Sequence, residues 1–207
     1  MAITSLNNFS IQVSGSNEGM LMPKLKYRFR VTFLGFGTQS STELTKQVMD
    51  ITRPTVNFEE IEVPVYNSRI YLAGRNNWEP VTLNVRDDAS GNVSKLTAQQ
   101  IQKQFDFMEQ ASARSGIDYK FQTNIEILDG GNGANEPFVL ERWELYGCFL
   151  QNANYNDLNY ATNESSNITL AIRFDNALQK PDGSGVGVSV GRQASTESAT
   201  GLTPGGQ

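Results

Sequence analysis

Between Arg53 and Asp88 the chain carries three β-patterned runs with only short breaks between them, and this constrains most of what it can become. Val56 and Phe58 fall on one parity, and Ile61, Val63 and Val65 fall on the other. Side chains alternate between the two faces of a strand, so the change of parity at Glu59–Glu60 predicts a β-bulge there. A turn at Asn67–Ser68 returns the chain through Ile70, Tyr71 and Leu72, and Gly74 interrupts that run. Beyond Trp78 and Pro80, Val81, Leu83 and Val85 alternate as a further strand. Nothing in the stretch has the form of a catalytic loop; it describes a surface built from backbone.

The flanking segments extend this β pattern. Leu25–Phe33 sets Leu25, Tyr27, Phe29, Val31 and Phe33 on one face and Lys24, Lys26, Arg28 and Arg30 on the other. Four cations in a row could hold phosphate. No aromatic is interleaved with them, which favours a solvated or subunit-facing strand surface. Leu44–Ile51 reads as a short or edge strand, ended by Pro54. Thr97–Ala111 reads as a helix, with Thr97 and Gln100 as a capping box and Gly116 as its stop. Ile101, Phe105 and Met108 form its apolar face, leaving Gln99, Gln102, Lys103, Asp106 and Glu109 on an outer face toward solvent or a partner. Strands follow at Tyr119–Ile127, Phe138–Leu150 and Ile168–Phe174. The run from Asp129 to Pro137 lacks the Lys-Ser/Thr ending and following helix of a phosphate loop, so it reads as a hairpin loop.

About seven strands and one flanking helix without βαβ alternation predict a mainly β fold, an antiparallel sandwich or barrel. Residues 1–22 form an N-terminal arm, 23–180 the β domain, and 181–207 a Gly/Ser-rich extension too poor in apolar groups to fold alone. Within that extension Val186, Val188 and Val190 alternate with small residues, a pattern suited to adding a strand to a neighbour's edge.

Composition removes several functions. Net charge is −5, from 22 acidic and 17 basic residues, the opposite of what gripping nucleic acid requires. Histidine is absent, which removes the commonest general base and metal ligand. Cys148 is alone, so it has neither a disulfide partner nor an imidazole to activate it. Glu59, Glu60 and Glu62 read as the polar face of a strand rather than a glycosidase pair, and Asp87–Asp88 lacks the spaced oxygens of a calcium loop. No enzymatic role, cofactor or metal is expected. The first residues lack the form of a secretory signal, and no run nears the ~18 apolar residues of a membrane span, so synthesis in the cytosol is expected.

The run from Ile61 to Asp88, followed by a helix containing Gln104–Met108, resembles the tail tube proteins of contractile bacteriophages. In that family a strand ends in Pro, a turn around Asn-Arg and an Ala-Gly follow, then an aromatic, a Val/Thr-rich strand and an acidic residue before a helix. Tyr27–Gly35 resembles the family's opening strand, and Glu144–Asp175 its closing hairpin. The likeness spans residues 25–178, and its specificity lies in the order of the motifs. It implies a virion protein that stacks as hexameric rings into the inner tail tube, strands of six subunits sharing one barrel. Its implied partners are other copies, the tail sheath, the baseplate hub, the tape measure and the tail terminator, with DNA only in transit and no membrane. Polar Asn57, Glu60 and Glu62 are the expected lumen-facing residues, giving a wall that repels phosphate. The inner tube of a bacterial secretion or extracellular injection system is a close alternative, and a monomeric carbohydrate-binding sandwich a more distant one.

Overall fold

The computed structural model describes residues 24–38, 42–128, 137, 139–161 and 163–181. In chain order they form β1 (Phe29–Leu34), α1 (Thr42–Gln47), β2 (Val48–Ile51), β3 (Val56–Val65), β4 (Ser68–Trp78), β5 (Val81–Arg86) and α2 (Asn92–Gln104). There follow β6 (Phe105–Asp106), β7 (Ala111–Ser112), α3 (Gly116–Tyr119), β8 (Phe121–Leu128), β9 (Val139–Asn154), β10 (Asn167–Arg173) and β11 (Asn176–Pro181). The strand pairs among the described residues are antiparallel, and the chain is mainly β, as its patterning predicts.

The 16-residue β9 organises the body. Its first half pairs with β8 and β11, and β8 pairs onward with β1. Its second half pairs with β10, which continues to β5 and β2. Between Leu145 and Cys148 β9 advances three residues while β8 advances two. The extra residue falls at Tyr146–Gly147, where Gly147 takes φ +67°. Such a bulge bends and twists the strand, which lets β9 belong to two layers. A side chain at 147 would collide with the Asp175 carboxylate, so only glycine serves here.

Between the layers lies one core. Val31, Phe33, Ile125 and Leu145 from the first layer join Leu83, Val85, Ile168 and Leu170 from the second, all buried. Phe33, Phe36 and Phe121 pack with ring centroids 4.9–6.5 Å apart. Leu44 of α1 and Val93 and Leu96 of α2 complete the same core.

Several expectations are corrected. Leu44–Ile51 is not one strand: its first half lies in α1, and only Val48–Ile51 pairs, against β5. The first strand begins at Phe29, after a turn in which Arg28 N–H donates to Leu25 O, and Tyr27 is exposed. The main helix starts at Asn92, not Thr97. The Asp88 carboxylate serves its first turn, accepting from Val93 N–H at 3.2 Å, and those bonds, chiefly that from Ser90, hold the carboxyl below its usual range. Thr97 is buried one turn further in, donating to Val93 O, and Gln100 ties Gly37 N–H to Tyr119 O. The Thr-x-x-Gln spacing thus marks a buried face rather than a start. At the other end Phe105 is extended, and the Asp106 carboxylate accepts from Met108 N–H and Glu109 N–H, turning the chain into β6–β7. Phe105 is half-buried against Phe107 instead of core, and Asp106 and Glu109 lie beyond the helix. Gly116 opens α3 behind a Ser115–Asp118 capping box and stops nothing. β11 was not foreseen. The N-terminal arm 1–22, nearly all of the 129–137 loop, and the extension with Val186, Val188 and Val190 lie outside the described residues.

Candidate assembly surface

Residues 48–86 form one long bent hairpin. Its root is β2 against β5, with Asp50 opposite Asn84 and Ile51 opposite Leu83. The ladder continues through Thr52 N–H to Thr82 O at 2.9 Å and Glu79 N–H to Thr55 O at 3.0 Å, then into β3 against β4. Pro54 and Pro80 flank the bend, where neither can donate a ladder hydrogen bond. Trp78 packs on Phe174 with centroids 5.6 Å apart, and Arg173 donates to Asn77 at 3.0 Å, which fixes the outer hairpin to the body at its base. The buried indole N–H of Trp78 has no acceptor among the described residues.

Beyond that base the hairpin leaves the body. Directly opposed residues share a face, so Ile61 with Leu72 and Val63 with Ile70 make a continuous apolar strip with Val65 at its end. In this chain the strip is bare: Ile61, Ile70 and Leu72 are 51–52% exposed. The expected irregularity lies between Phe58 and Glu60, but the extra residue is on the partner strand. There β3 advances two residues while β4 advances three, through Gly74–Arg75. Gly74 makes this possible, since a Cβ there would stand 2.8 Å from Glu59 O. The turn residues are Tyr66 and Asn67, one earlier than expected, and Tyr66 is fully exposed at φ +50°, an unfavourable conformation for a bulky side chain.

This shift of the bulge separates the three expected lumen residues. β3 itself keeps strict alternation, so Glu60 and Glu62 share the face opposite the apolar strip, and Arg69 pairs with Glu62 at 3.0 Å. Asn57 lies on the strip's face and donates to Glu79 at 2.6 Å. Of the five helix residues expected to face outward, Gln102 is exposed on α2. Gln99 instead accepts from Thr38 N–H, and Lys103 donates to Gly35 O and Gly37 O, so both hold the loop after β1.

The two layers present different outer faces. Across β1, β8, β9 and β11 runs a charge ladder: Arg30 to Glu126 at 2.7 Å, Glu126 to Arg142 at 2.7 Å, and Glu144 to Lys180 at 2.8 Å. Burial alone raises the Glu144 carboxyl, but the Lys180 and Tyr146 hydrogen bonds outweigh it and hold the group below its usual range. At the end of this layer Glu141 is likewise lowered: burial opposes, while Lys24, Trp143 and Gln179 donate to it. Of the cations seen in the sequence, Lys24 pairs with Glu141 and Arg30 with Glu126. The second layer instead shows small amides and hydroxyls. Thr82, Ala171 and Asn152 lie in one row and Asn84, Thr169 and Asn154 in the next, tied by Thr169 Oγ1 to Asn84 Oδ1 at 2.7 Å.

β1 and β2 are the two ends of the strand path. A cleft of about 490 Å³ separates them, floored by Leu25, Phe29, Ile51 and Ile127 and rimmed by Lys26, Arg28, Asp50 and Arg53. The sequence hid these features because exposure of the strip and the meeting of β1 with β2 are properties of topology. Periodicity reports which residues share a face, not whether anything covers it.

No family model and no curated protein matches the chain. Among solved structures, a chain of the anti-feeding prophage baseplate, six-fold symmetrised, superposes with TM-score 0.56 at 18% identity over 78% of this chain and 98% of that one. A chain of the tube-terminating cap of the anti-feeding prophage gives 0.55 at 15% identity over 83% and 99%. A chain of the extended sheath–tube complex of PVC, an extracellular contractile injection system, gives 0.53 at 13% identity over 86% and 99%. This chain has the fold found in components of contractile injection systems.

Proposed function

We propose that this protein is the repeating structural subunit of the inner tube of a contractile delivery machine, stacking with its own copies and enclosed by a sheath. The observation that carries the reading is the outer hairpin. A two-stranded ribbon is marginal alone in water, and an apolar strip along it calls for a cover. A head-to-tail contact between copies supplies that cover and closes into rings when the rotation permits. The neighbours' membership of baseplate, cap and sheath–tube assemblies supports this reading, as does the six-fold symmetry of one of them.

The finer assignment is the tail tube of a contractile bacteriophage, built of hexameric rings and conducting DNA past baseplate, tape measure and terminator. A second reading, the tube of an extracellular injection system with protein cargo, is favoured by the source of the neighbours. Negative-stain microscopy of the purified chain at rising concentration tests the shared part: stacked rings with an open channel are expected, and a chain monomeric throughout contradicts it. Microscopy of the native particle separates the two readings by whether a DNA-filled head is attached.

A further inference from the structure

We propose that the N-terminal arm, through Phe9, Ile11 and Val13, folds back onto the open edge of β1 as an added strand and covers the cleft between β1 and β2 within its own chain. The proposal concerns one copy by itself and goes beyond the tube reading. It starts from an uncovered surface. Leu25, Phe29, Ile51 and Ile127 on the cleft floor are only partly buried, although Val31 and Ile125 beside them are at most 2% exposed. A second hollow of about 700 Å³ continues along the same gap, between Phe29 and Val31 of β1 and Val48 and Met49 of β2. The backbone is open there as well. Among the described residues β1 pairs with β8 and β2 with β5, and neither pairs with the other. Leu128 N–H donates to Arg28 O, so the bonds to β8 fall on the even residues of β1, and Phe29 and Val31 turn their N–H and C=O toward the gap. An apolar hollow beside an open strand edge is the shape that a further strand fills.

The arm carries the matching pattern. Phe9, Ile11 and Val13 alternate with Asn8, Ser10, Gln12 and Ser14, which gives a strand one apolar and one polar face. Residues 15–23, with Gly15, Ser16, Asn17 and Gly19 among them, supply a turn-forming return to Lys24, which itself lines the cleft. A chain that folds back in this way arrives antiparallel to β1, as β8 does on the other side. Its apolar face then goes to the cleft floor, and its amides and hydroxyls go to solvent. Two other occupants fit less well. The extension after Pro181 starts from β11, which β9 and β8 separate from β1, and its Val186, Val188 and Val190 are smaller than Phe9 and Ile11. A strand from a second copy competes with a tethered one, whose short connection gives it an effective concentration of about a millimolar. An arm so placed blunts an edge that would otherwise accept strands indiscriminately.

Amide hydrogen exchange, read residue by residue on the full chain at a concentration where it is monomeric, tests this. In the wild type the Phe29 and Val31 amides should be protected. Ile11→Asp with Val13→Asp should abolish that protection, while Ile168 and Leu170 of β10, paired on both sides, keep theirs. Fast exchange at Phe29 and Val31 in the wild type, or protection that survives the double substitution, overturns the proposal. Protection that appears only as concentration rises assigns the gap to a second copy. Protection lost in Val186→Asp with Val188→Asp instead assigns it to the C-terminal extension, and either result overturns the arm. Should the substituted chain fail to fold, a nitroxide on Ser10→Cys replaces it, since Cys148 is buried. Broadening of the Phe29 and Val31 amides within one chain supports the arm. Its absence, or its appearance only between chains in a mixture of labelled and unlabelled protein, overturns it. None of these outcomes bears on the tube reading, which falls if the wild-type chain never forms rings.

Discussion

β10 and β3 use the same vocabulary to opposite ends. β10 alternates Ile168, Leu170 and Ile172 inward, each at most 1% exposed, because β5, β9 and the opposite layer surround them. β3 alternates Ile61, Val63 and Val65, and they stay 38–51% exposed, with β4 as their one paired strand among the described residues. Full burial of such a side chain is worth roughly 1.5–3 kcal/mol, so β10 collects that stabilisation inside the chain and β3 leaves it uncollected. The difference teaches where folding ends and assembly begins. Among the described residues the body buries its apolar faces within one chain, whereas the outer hairpin leaves its strip exposed, and on the proposed reading other copies cover it.

Substitutions can break this contrast at several levels. Leu170→Ala should have the largest effect on the isolated chain, about 2–5 kcal/mol in denaturant unfolding, since the residue is fully buried. A loss near zero would mean the layers are not packed as described. Gly147→Ala forces a left-handed alanine against Asp175 and should cost about 1–3 kcal/mol in the same measurement. Acid gives a smaller, graded effect. The carboxyls of Glu141 and Glu144 are depressed in the folded chain, so their contribution is present in full above the ordinary glutamate value and is lost as pH falls through the depressed values. Melting of the body should therefore drop below about pH 4.5, and Glu144→Gln should flatten that drop. Smallest in the unfolding of the body is Gly74→Ala, within about 0.5 kcal/mol, because among the described residues the part of β3–β4 around Gly74 pairs only with itself, its contacts with the body being at Asn77 and Trp78. Its added Cβ meets Glu59 O, so assembly should suffer while melting does not.

Much of the body was legible because period-two alternation forces inward faces: Val31 and Phe33, Ile125, Leu83 and Val85, Ile168 and Leu170 all pack as patterned. β11 was illegible since Asn176–Pro181 has little β-propensity and is a strand only because the edge of β9 imposes its ladder. The helix limits were misread because Thr97 and Gln100 fit a cap as well as they fit a buried face, and only the positions of Gly37, Val93 and Tyr119 decide between them. For the assembly surface, the bulge was visible as a change of parity, but which strand held the extra residue was not. That single ambiguity moved Asn57 to the other face from Glu60 and Glu62.

The most direct measurement is the pair of melting temperature and sedimentation for Ile61→Ser with Ile70→Ser, two opposite-strand positions on the exposed strip. The account predicts that the melting of the monomer stays with the wild type while rings and filaments disappear. A lowered monomer melting temperature would show that the strip already serves the chain's own fold, and undiminished assembly would show that the outer hairpin does not join the copies.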